Sequence, residues 1–533
     1  MKHLIVLSGP IGVGKSSFVE ALKRFDAERV STRAHILETT GCQNERGALQ
    51  DAGDRLDLET GGTWVADALE PVVESSDTSI LILDSARIAK QVEALRSRFG
   101  EKVIHIHLYA DDDVLEARYK NRETDVREFE SYAKAAEHGT ETQVPTLAAI
   151  ADLVLDATAA TSEDLAVTAM AWLGRPALPL QRTLDVIVGG QYGSEGKGNV
   201  CAHLAENYDC LVRIGGPNAG HRVADPNYKY VQFPSGSQSN PKAKIVIAAG
   251  STLWLPQLEL EMSDHDVTPE RLTIDPQAIV IEQEDRDIED GDKEGGLNRI
   301  ATTAQGVGAA AARKILNRGE PIFGPAVRLA RDVERLRPFV RPAREIIEAM
   351  LMEGRPVLVE GTQGTELSIH HGRYPHVTSR ETSSSGCLAD AGISFAVVRD
   401  VIMVVRTYPI RVGGPSGAMG QVIDFETIHE RSKVPLEEFG TTERGTISNK
   451  PRRVAEFDWA RIRRSAQLNG ATRIALTFAD YFGVENREAT DYDELNDRTQ
   501  EFIRKLEMVT GVSVDYVSKA FAKDGVLEKG SWA

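Results

Sequence analysis

Two glycine-rich stretches, each closing on a lysine, have the residue types to hold phosphate. Gly9-Pro10-Ile11-Gly12-Val13-Gly14-Lys15-Ser16 fits G-x-x-x-x-G-K-[ST] at every fixed position. In such a loop backbone amides cradle the phosphates, Lys15 reaches the β and γ groups, and the Ser16 hydroxyl faces magnesium. Gly189-Gly190-Gln191-Tyr192-Gly193-Ser194-Glu195-Gly196-Lys197-Gly198-Asn199 offers the same amides and a point charge in Lys197. Gly198, however, stands where a Walker loop carries Ser or Thr for magnesium, so the generic pattern does not describe it. A third glycine-rich run, Gly215-Gly216-Pro217-Asn218-Ala219-Gly220-His221, ends in an imidazole placed for site chemistry rather than for a core face.

Each of these loops needs a strand to launch it and a helix to receive it. Leu4–Leu7 and Leu184–Val188 are short apolar runs of the kind buried in parallel sheets, and Leu211–Ile214 precedes the third loop. Ile80–Asp84 reads as a further parallel strand whose terminal carboxylate is either a Walker B ligand to magnesium through water or a helix N-cap. Val103–Leu108 is followed by Asp111-Asp112-Asp113 and a helix with Arg118 and Arg122 on one face, either a phosphate-neutralising pair or a solvated basic face. Leu153–Asp156 and the helix from Ser162 finish this half, and Gly174-Arg175-Pro176 breaks the pattern. The fold class is therefore α/β: two P-loop-type modules, 1–178 and 183–533, with mainly parallel sheets flanked by helices.

Composition sets the frame for partners. With 533 residues, more than one core is required. The balance of 80 Asp plus Glu against 62 Lys plus Arg disfavours a nucleic-acid footprint and favours small-molecule ligands. Cys42, Cys201, Cys210 and Cys387 show neither metal spacing nor a disulfide framework, which suits reduced thiols in a cytoplasm. The N-terminal apolar run breaks at Ser8-Gly9-Pro10, and no stretch approaches the roughly 20 apolar residues of a membrane span.

Residues 183 to 520 resemble adenylosuccinate synthetases, whose nucleotide loop runs GDEGKGK and is followed by NAGH. The likeness continues in family order through Pro234-Ser235-Gly236, Thr302-Thr303, Glu360-Gly361-Thr362-Gln363-Gly364-Thr365, His371-Gly372-Arg373-Tyr374-Pro375, Val377-Thr378-Ser379 and Arg411-Val412-Gly413. The resemblance implies a homodimeric ligase that phosphorylates O6 of a purine monophosphate and then lets the amine of L-aspartate displace that phosphate. It assigns the purine monophosphate to Ser194, Asn218, Thr303, Gln363, Thr378, Val412 and Lys450; Thr302 and Thr303 are otherwise turn hydroxyls. The triphosphate falls to Gly193, Glu195, Gly196, Lys197, Gly198, Asn199, Gly220, His221, Arg222, Arg452, Phe478 and Asp480. Aspartate falls to Thr446, Ile447, Ser448, Lys450 and Arg452, and magnesium to Ser194 and the Gly220 carbonyl. At the reacting centre the resemblance has His221 donating to purine O6 as that oxygen is phosphorylated and Gln363 polarising the reacting edge, with Ser194 and Lys197 beside them.

Several positions depart from the family. Lys450 replaces an Arg of the aspartate loop, Phe478 replaces the Lys of a guanine-reading L-T-K-L-D, and Asn317, beside Arg318, replaces a dimer-partner Arg. Phe478 would offer a neutral stacking face to any purine, so ATP or dATP becomes a candidate donor. Ser194 replaces the Asp that deprotonates purine N1. Shorter and uncharged, it makes room for a 2-amino group and accepts from it, although a serine hydroxyl is far too weak a base at neutral pH. This pattern resembles the viral-type branch that acts on dGMP to make a 2-aminoadenine precursor, which for a viral protein places it in the host cytoplasm. Residues 1–178 resemble nucleoside and deoxynucleoside monophosphate kinases, which implies an ATP site formed by Gly9, Gly12, Gly14, Lys15, Ser16, Asp84, Arg118 and Arg122.

Overall fold

A computed structural model describes residues 3–174, apart from 26, 44, 77, 122–130 and 138, and residues 181–529, apart from 292–296, 298, 299, 448, 523 and 524. The chain divides into two compact units, Met1–Leu178 and Pro179–Ala533.

In the first unit, strands β1 (His3–Ser8), β2 (Ala27–Ser31), β3 (Ile80–Asp84), β4 (Val103–Tyr109) and β5 (Leu153–Asp156) pair in the order β2-β3-β1-β4-β5, all parallel. The apolar run of β1 is explained by burial on both faces. Ile5 and Leu7 pack with Phe18 and Leu22 on one side, while Leu4 and Val6 pack with Trp64 and Leu69 on the other. The chain leaves β1 at its C-terminal end and re-enters the helix Lys15–Leu22 through Gly14, whose φ of 98° strains any side-chain-bearing residue. That strand end is where an open parallel sheet binds ligands.

The second unit is built on nine strands: β6 (Leu184–Gly189), β7 (Cys210–Arg213), β8 (Lys244–Ile247), β9 (Leu272–Ile274), β10 (Val357–Glu360), β11 (Val398–Arg406), β12 (Arg473–Thr477), β13 (Ser513–Ser518) and β14 (Val526–Glu528). They run in the order β9-β8-β7-β10-β6-β11-β12-β13-β14, parallel throughout except for the β13–β14 pair. Central β6 is buried along its length and delivers the second glycine loop to the helix Lys197–Leu204. Its neighbour β10 pairs with β7 so that Glu360 lies opposite Arg213. A small antiparallel sheet of Ile410–Val412, Arg452–Ala455 and Val422–Ile423 sets Val412 against Arg452.

Asn317 is occupied within its own loop. Its amide donates to the carbonyls of Phe323 and Pro325 and accepts from the backbone of Ile322 and Phe323. Arg318 beside it is exposed. Among the described residues, no helix is long and apolar enough to cross a membrane.

Candidate functional site

The second glycine loop is held shut by its own charged residues. Glu195 accepts from the backbone N–H of Gln191 and Gly193 at 3.0 and 2.7 Å, and pairs with Lys197 at 2.8 Å, both side chains being 1% exposed. Lys197 is thus half of a buried ion pair that reaches the cavity, rather than a bare point charge. Gly196, at φ 91°, caps the following helix. Gly198 is glycine for lack of room: a Cβ there would meet the Cβ of His221 at 3.0 Å and the Arg222 carbonyl at 3.1 Å. A Walker side chain there would require His221 or the Arg222 backbone to give by a few tenths of an ångström. Asn199 ties the loop's helix to the Ala224 amide and the Ala522 carbonyl.

His221 opens a short strand, and beneath it lies a buried polar cluster. Glu360 Oε1 is 2.5 Å from His221 Nδ1 and accepts from the Ser235 hydroxyl, while Oε2 meets Arg213 at 3.0 Å and the Ser235 N–H at 2.8 Å. Burial opposes the Glu360 charge, but Arg213, His221 and Ser235 outweigh it and hold the carboxyl well below the ordinary range. Burial, aided by the Arg213 charge, pushes His221 down to about 4 against the pull of Glu360. The carboxylate 2.5 Å away places the imidazole proton on Nδ1, which also has the Arg213 guanidinium beside it at 2.9 Å, and Nε2 is buried and without a partner among the described residues, in a side chain that lines the cavity.

That cavity, of about 610 Å³, collects Gly193, Ser194, Gly196, Lys197, Gly198, Gly220, His221 and Arg222 from the loops, Thr446 and Arg452 from the 445–453 segment, and Phe478 and Asp480 beyond β12. A Cβ on Gly220 would strike Ile447 at 2.8 Å and Thr446 at 2.9 Å, so the tip of the 445–453 segment rests directly on this loop. Ser448 lies outside the described residues, and Lys450 is exposed. Arg452 already donates to Glu443 at 3.2 Å, leaving its Nε without a partner among the described residues. Glu443 also accepts from Tyr481 at 2.5 Å and from Arg406. Burial disfavours its charge, but Arg406, Arg452 and Tyr481 prevail and keep the carboxyl low. The Arg406 guanidinium covers one face of Phe478 at 3.5 Å, so that ring is not an open platform on both sides. Asp480 receives Arg487 on Oδ2 at 3.0 Å, while Oδ1 is buried and unpartnered among the described residues, and burial pushes the carboxyl up to about 6 against Arg487.

Of the purine-monophosphate candidates, the structure joins Asn218 to Thr378 and sets Gln363 against Gly193. Asn218 donates to the Thr378 hydroxyl at 3.3 Å. Gln363, with φ 58°, packs against Gly193, accepts from Thr362 and leaves its Nε2 unpartnered among the described residues. Thr302 is a turn hydroxyl accepting from the Ala304 N–H, whereas Thr303 offers its carbonyl to Gln305. Val412 gives its carbonyl to Ser416.

In the first unit a cavity of about 1070 Å³ lies over the first glycine loop, lined by Gly12, Gly14, Lys15, Ser16, Asp84 and Arg118. Lys15 folds onto the carbonyls of Gly9 and Pro10 at 2.5 and 2.9 Å. Asp84 caps no helix: it ends β3 and pairs with Arg29 at 2.7 Å, and the next helix, Ala89–Phe99, is capped by Ile88. Arg118 is no solvated face either, since it donates to the carbonyls of Ala157 and Val13 at 2.9 and 3.4 Å and so braces the loop. Arg122 lies outside the described residues.

Sequence reading assigned no role to Arg213, Glu360, Arg406 or Glu443. A signal existed for two of them: Arg213 and Glu360 each end an otherwise apolar strand, a placement that demands a partner.

Four similarities to known proteins bear on this geometry. The family model for adenylosuccinate synthetase matches residues 186–322 and 326–486. An adenylosuccinate synthetase of Methanocaldococcus jannaschii is 38% identical over 345 residues, which is 63% of this chain and 94% of that protein. The fully ligated adenylosuccinate synthetase of Plasmodium falciparum shares the fold at TM-score 0.58 and 20% identity, covering 65% of this chain and 100% of its own. The succinoaminodeoxyadenylate synthetase (PurZ) of cyanophage S-2L, bound to dGMP and dATP as an energy donor, aligns at TM-score 0.52 and 26% identity over 65% of this chain and 95% of its own.

Proposed function

The chain belongs to the adenylosuccinate synthetase family through its second unit, and from that premise we propose that this unit joins L-aspartate to C6 of dGMP at the expense of ATP or dATP. The observation that carries the choice of dGMP is Ser194, which lines the cavity where the family has a carboxylate. Similarity to the cyanophage synthetase that binds dGMP and dATP supports it.

The reaction runs in two displacements. The ring proton of the purine passes to His221 Nε2 while O6 attacks the γ-phosphorus, the bond from that phosphorus to the β-bridging oxygen breaks, and the nucleoside diphosphate leaves. Glu360, already bonded to Nδ1, stabilises the imidazolium that this creates. The amine of aspartate then attacks C6, inorganic phosphate departs with the electrons of the C6–O bond and takes up the proton the amine sheds, and His221 returns its own proton to solvent. Gln363 Nε2 hydrogen-bonds the reacting edge. Arg452 holds an aspartate carboxylate with the donors that Glu443 leaves over.

Magnesium fits as an ion carried by the phosphates. Among the described residues there is no group of three His, Cys, Asp or Glu to cage a metal, and the Ser194 hydroxyl and Gly220 carbonyl are the hard oxygen donors such an ion takes. When bound it neutralises phosphate charge. The first unit is a phosphate-transferring module of the nucleotide-kinase type, supported by its complete G-x-x-x-x-G-K-[ST] loop and the Asp84 strand end beside it.

The test is substrate choice with Ser194→Asp as control. Each monophosphate is incubated with aspartate, magnesium and ATP, dATP or GTP, and the succinyl nucleotide is read by mass. The wild type should favour dGMP over IMP by about ten-fold or more, because an unpaired buried polar group costs roughly 1–3 kcal/mol. Ser194→Asp should lower the dGMP-to-IMP ratio of kcat/KM. Preference of the wild type for IMP would overturn the reading in favour of ordinary adenylosuccinate synthesis.

A further inference from the structure

Lys229 lies on the short antiparallel hairpin that His221–Val223 forms with Tyr228–Tyr230, and the register sets it directly opposite Arg222. Residues paired in this way share a face of the ribbon, with Cβ atoms roughly 5 Å apart. Here that face is the open one: Arg222 and Lys229 are exposed, whereas His221 and Tyr230 beside them are buried. Both cations line the cavity of the second glycine loop. Like charges directly opposite one another repel, and an anion in front of them removes that cost.

The other cations of this cavity are engaged. Lys197 pairs with Glu195, Arg406 and Arg452 with Glu443, and Arg487 with Asp480. Arg222, Arg444 and Lys519 donate to oxygens of Asn227, Gly440 and Ala489. The Lys229 ammonium makes no hydrogen bond or ion pair among the described residues. Beside it stands the tip of the 445–453 segment. The point that a Cβ on Gly220 would occupy is 3.2 Å from Lys229 Cε, 2.9 Å from Thr446 Cγ2 and 2.8 Å from Ile447 Cδ1, so the three side chains converge on one glycine.

Resting on the ligase reading above, we propose that Lys229 is a further aspartate-binding residue, its ammonium taking one carboxylate of L-aspartate while Arg452 takes the other. The substrate brings two carboxylates. Arg452 has spent part of its fork on Glu443, and Lys450 brings a point charge where the family has a guanidinium, so the 445–453 segment by itself serves one of them well. The phosphates of the donor are served separately, by the amides of the glycine loop, the N-terminal end of the helix Lys197–Leu204 and Lys197 itself. Aspartate would thus be held between the His221 hairpin and the 445–453 segment. An amino acid with a single carboxylate leaves one of the two cations without its anion, which makes the pair a filter for dicarboxylic amine donors.

The experiment uses the full chain with magnesium, ATP or dATP, and whichever of dGMP and IMP turns over better, so that the choice of purine does not enter. Succinyl-nucleotide formation is measured against the concentrations of aspartate, monophosphate and triphosphate. Lys229→Met, which keeps the stem and removes the charge, should raise the aspartate KM by about ten-fold or more, while both nucleotide KM values stay within about two-fold and kcat at saturating aspartate within a few-fold. Lys229→Arg should recover most of the loss. If Lys229→Met melts below the wild type, Lys229→Gln reads the same split. An unchanged aspartate KM in a folded variant, a triphosphate KM that rises as much, or a loss that Lys229→Arg leaves whole overturns the assignment and leaves the ligase reading standing. No succinyl nucleotide from any monophosphate with the wild type overturns both.

Discussion

Replacing Glu360 by Gln tests whether the cluster under His221 drives the chemistry or only fills the sheet. The amide matches the carboxylate in shape, so no cavity opens. Each Glu360 oxygen, however, serves two donors: Oε1 meets the imidazole N–H and the Ser235 hydroxyl, and Oε2 meets Arg213 and the Ser235 N–H. Whichever way the amide is turned, its NH₂ confronts a donor, and Arg213, 1% exposed, loses its counter-charge. Breaking a buried pair in this way costs about 3–5 kcal/mol of folding stability. The catalytic effect is separate: without the carboxylate, nothing on the Nδ1 side stabilises the imidazolium, and kcat should fall by roughly 10²- to 10⁴-fold. Ser235→Ala keeps the charge and removes one hydroxyl, so it should cost about 1 kcal/mol and leave kcat within a few-fold. Thermal melts and single-turnover formation of succinyl nucleotide measure the two effects independently. A Glu360→Gln protein that melts lower yet keeps kcat within about three-fold of wild type would refute the assignment of His221 as the proton acceptor. The pH dependence has a definite sign as well. The folded carboxyl sits below its ordinary 4.5, so its contribution to stability is present above that pH and is lost as the pH falls below it.

Arg452→Ala should raise the aspartate KM by about ten-fold or more and leave the purine KM nearly alone, as expected for removing one charge-assisted fork worth on the order of 2–4 kcal/mol; an unchanged aspartate KM moves that site elsewhere. Asp480, pushed up to about 6, is ionised at pH 7.5 and protonates as the pH drops through 6, so the triphosphate KM should rise there if Oδ1 accepts from the base amine. Asp480→Asn should abolish this pH dependence, and an identical profile in wild type and variant counts against the role.

The parts of the molecule legible in the sequence are those where local sterics dictate residue type. Gly14 and Gly196 occupy left-handed caps that strain any side chain, and strands such as Ile80–Asp84 are apolar because both faces are covered. What escaped reading depends on distant pairing. Arg452 reads in the sequence as a free carboxylate grip, yet Glu443 takes one of its donors and pairs as well with Arg406, 37 positions away in the sequence. The same is true of Phe478, whose replacement of a lysine looks like an open stacking face until Arg406 is found lying on it. Asn317 is opaque for another reason: a single side chain answers four backbone groups of its own turn, and no periodicity announces that.

The Arg213–Glu360 pair also bears on how the middle of the large sheet assembles. The two residues face each other across β7 and β10, strands whose remaining residues are aliphatic or cysteine and would tolerate sliding past one another. A slip of one position would turn each charge to the opposite face and strand it in the core without its counter-ion. The ion pair therefore penalises misaligned docking of these strands during folding, and the machinery that orients His221 doubles as a proofreading device for the architecture that carries it.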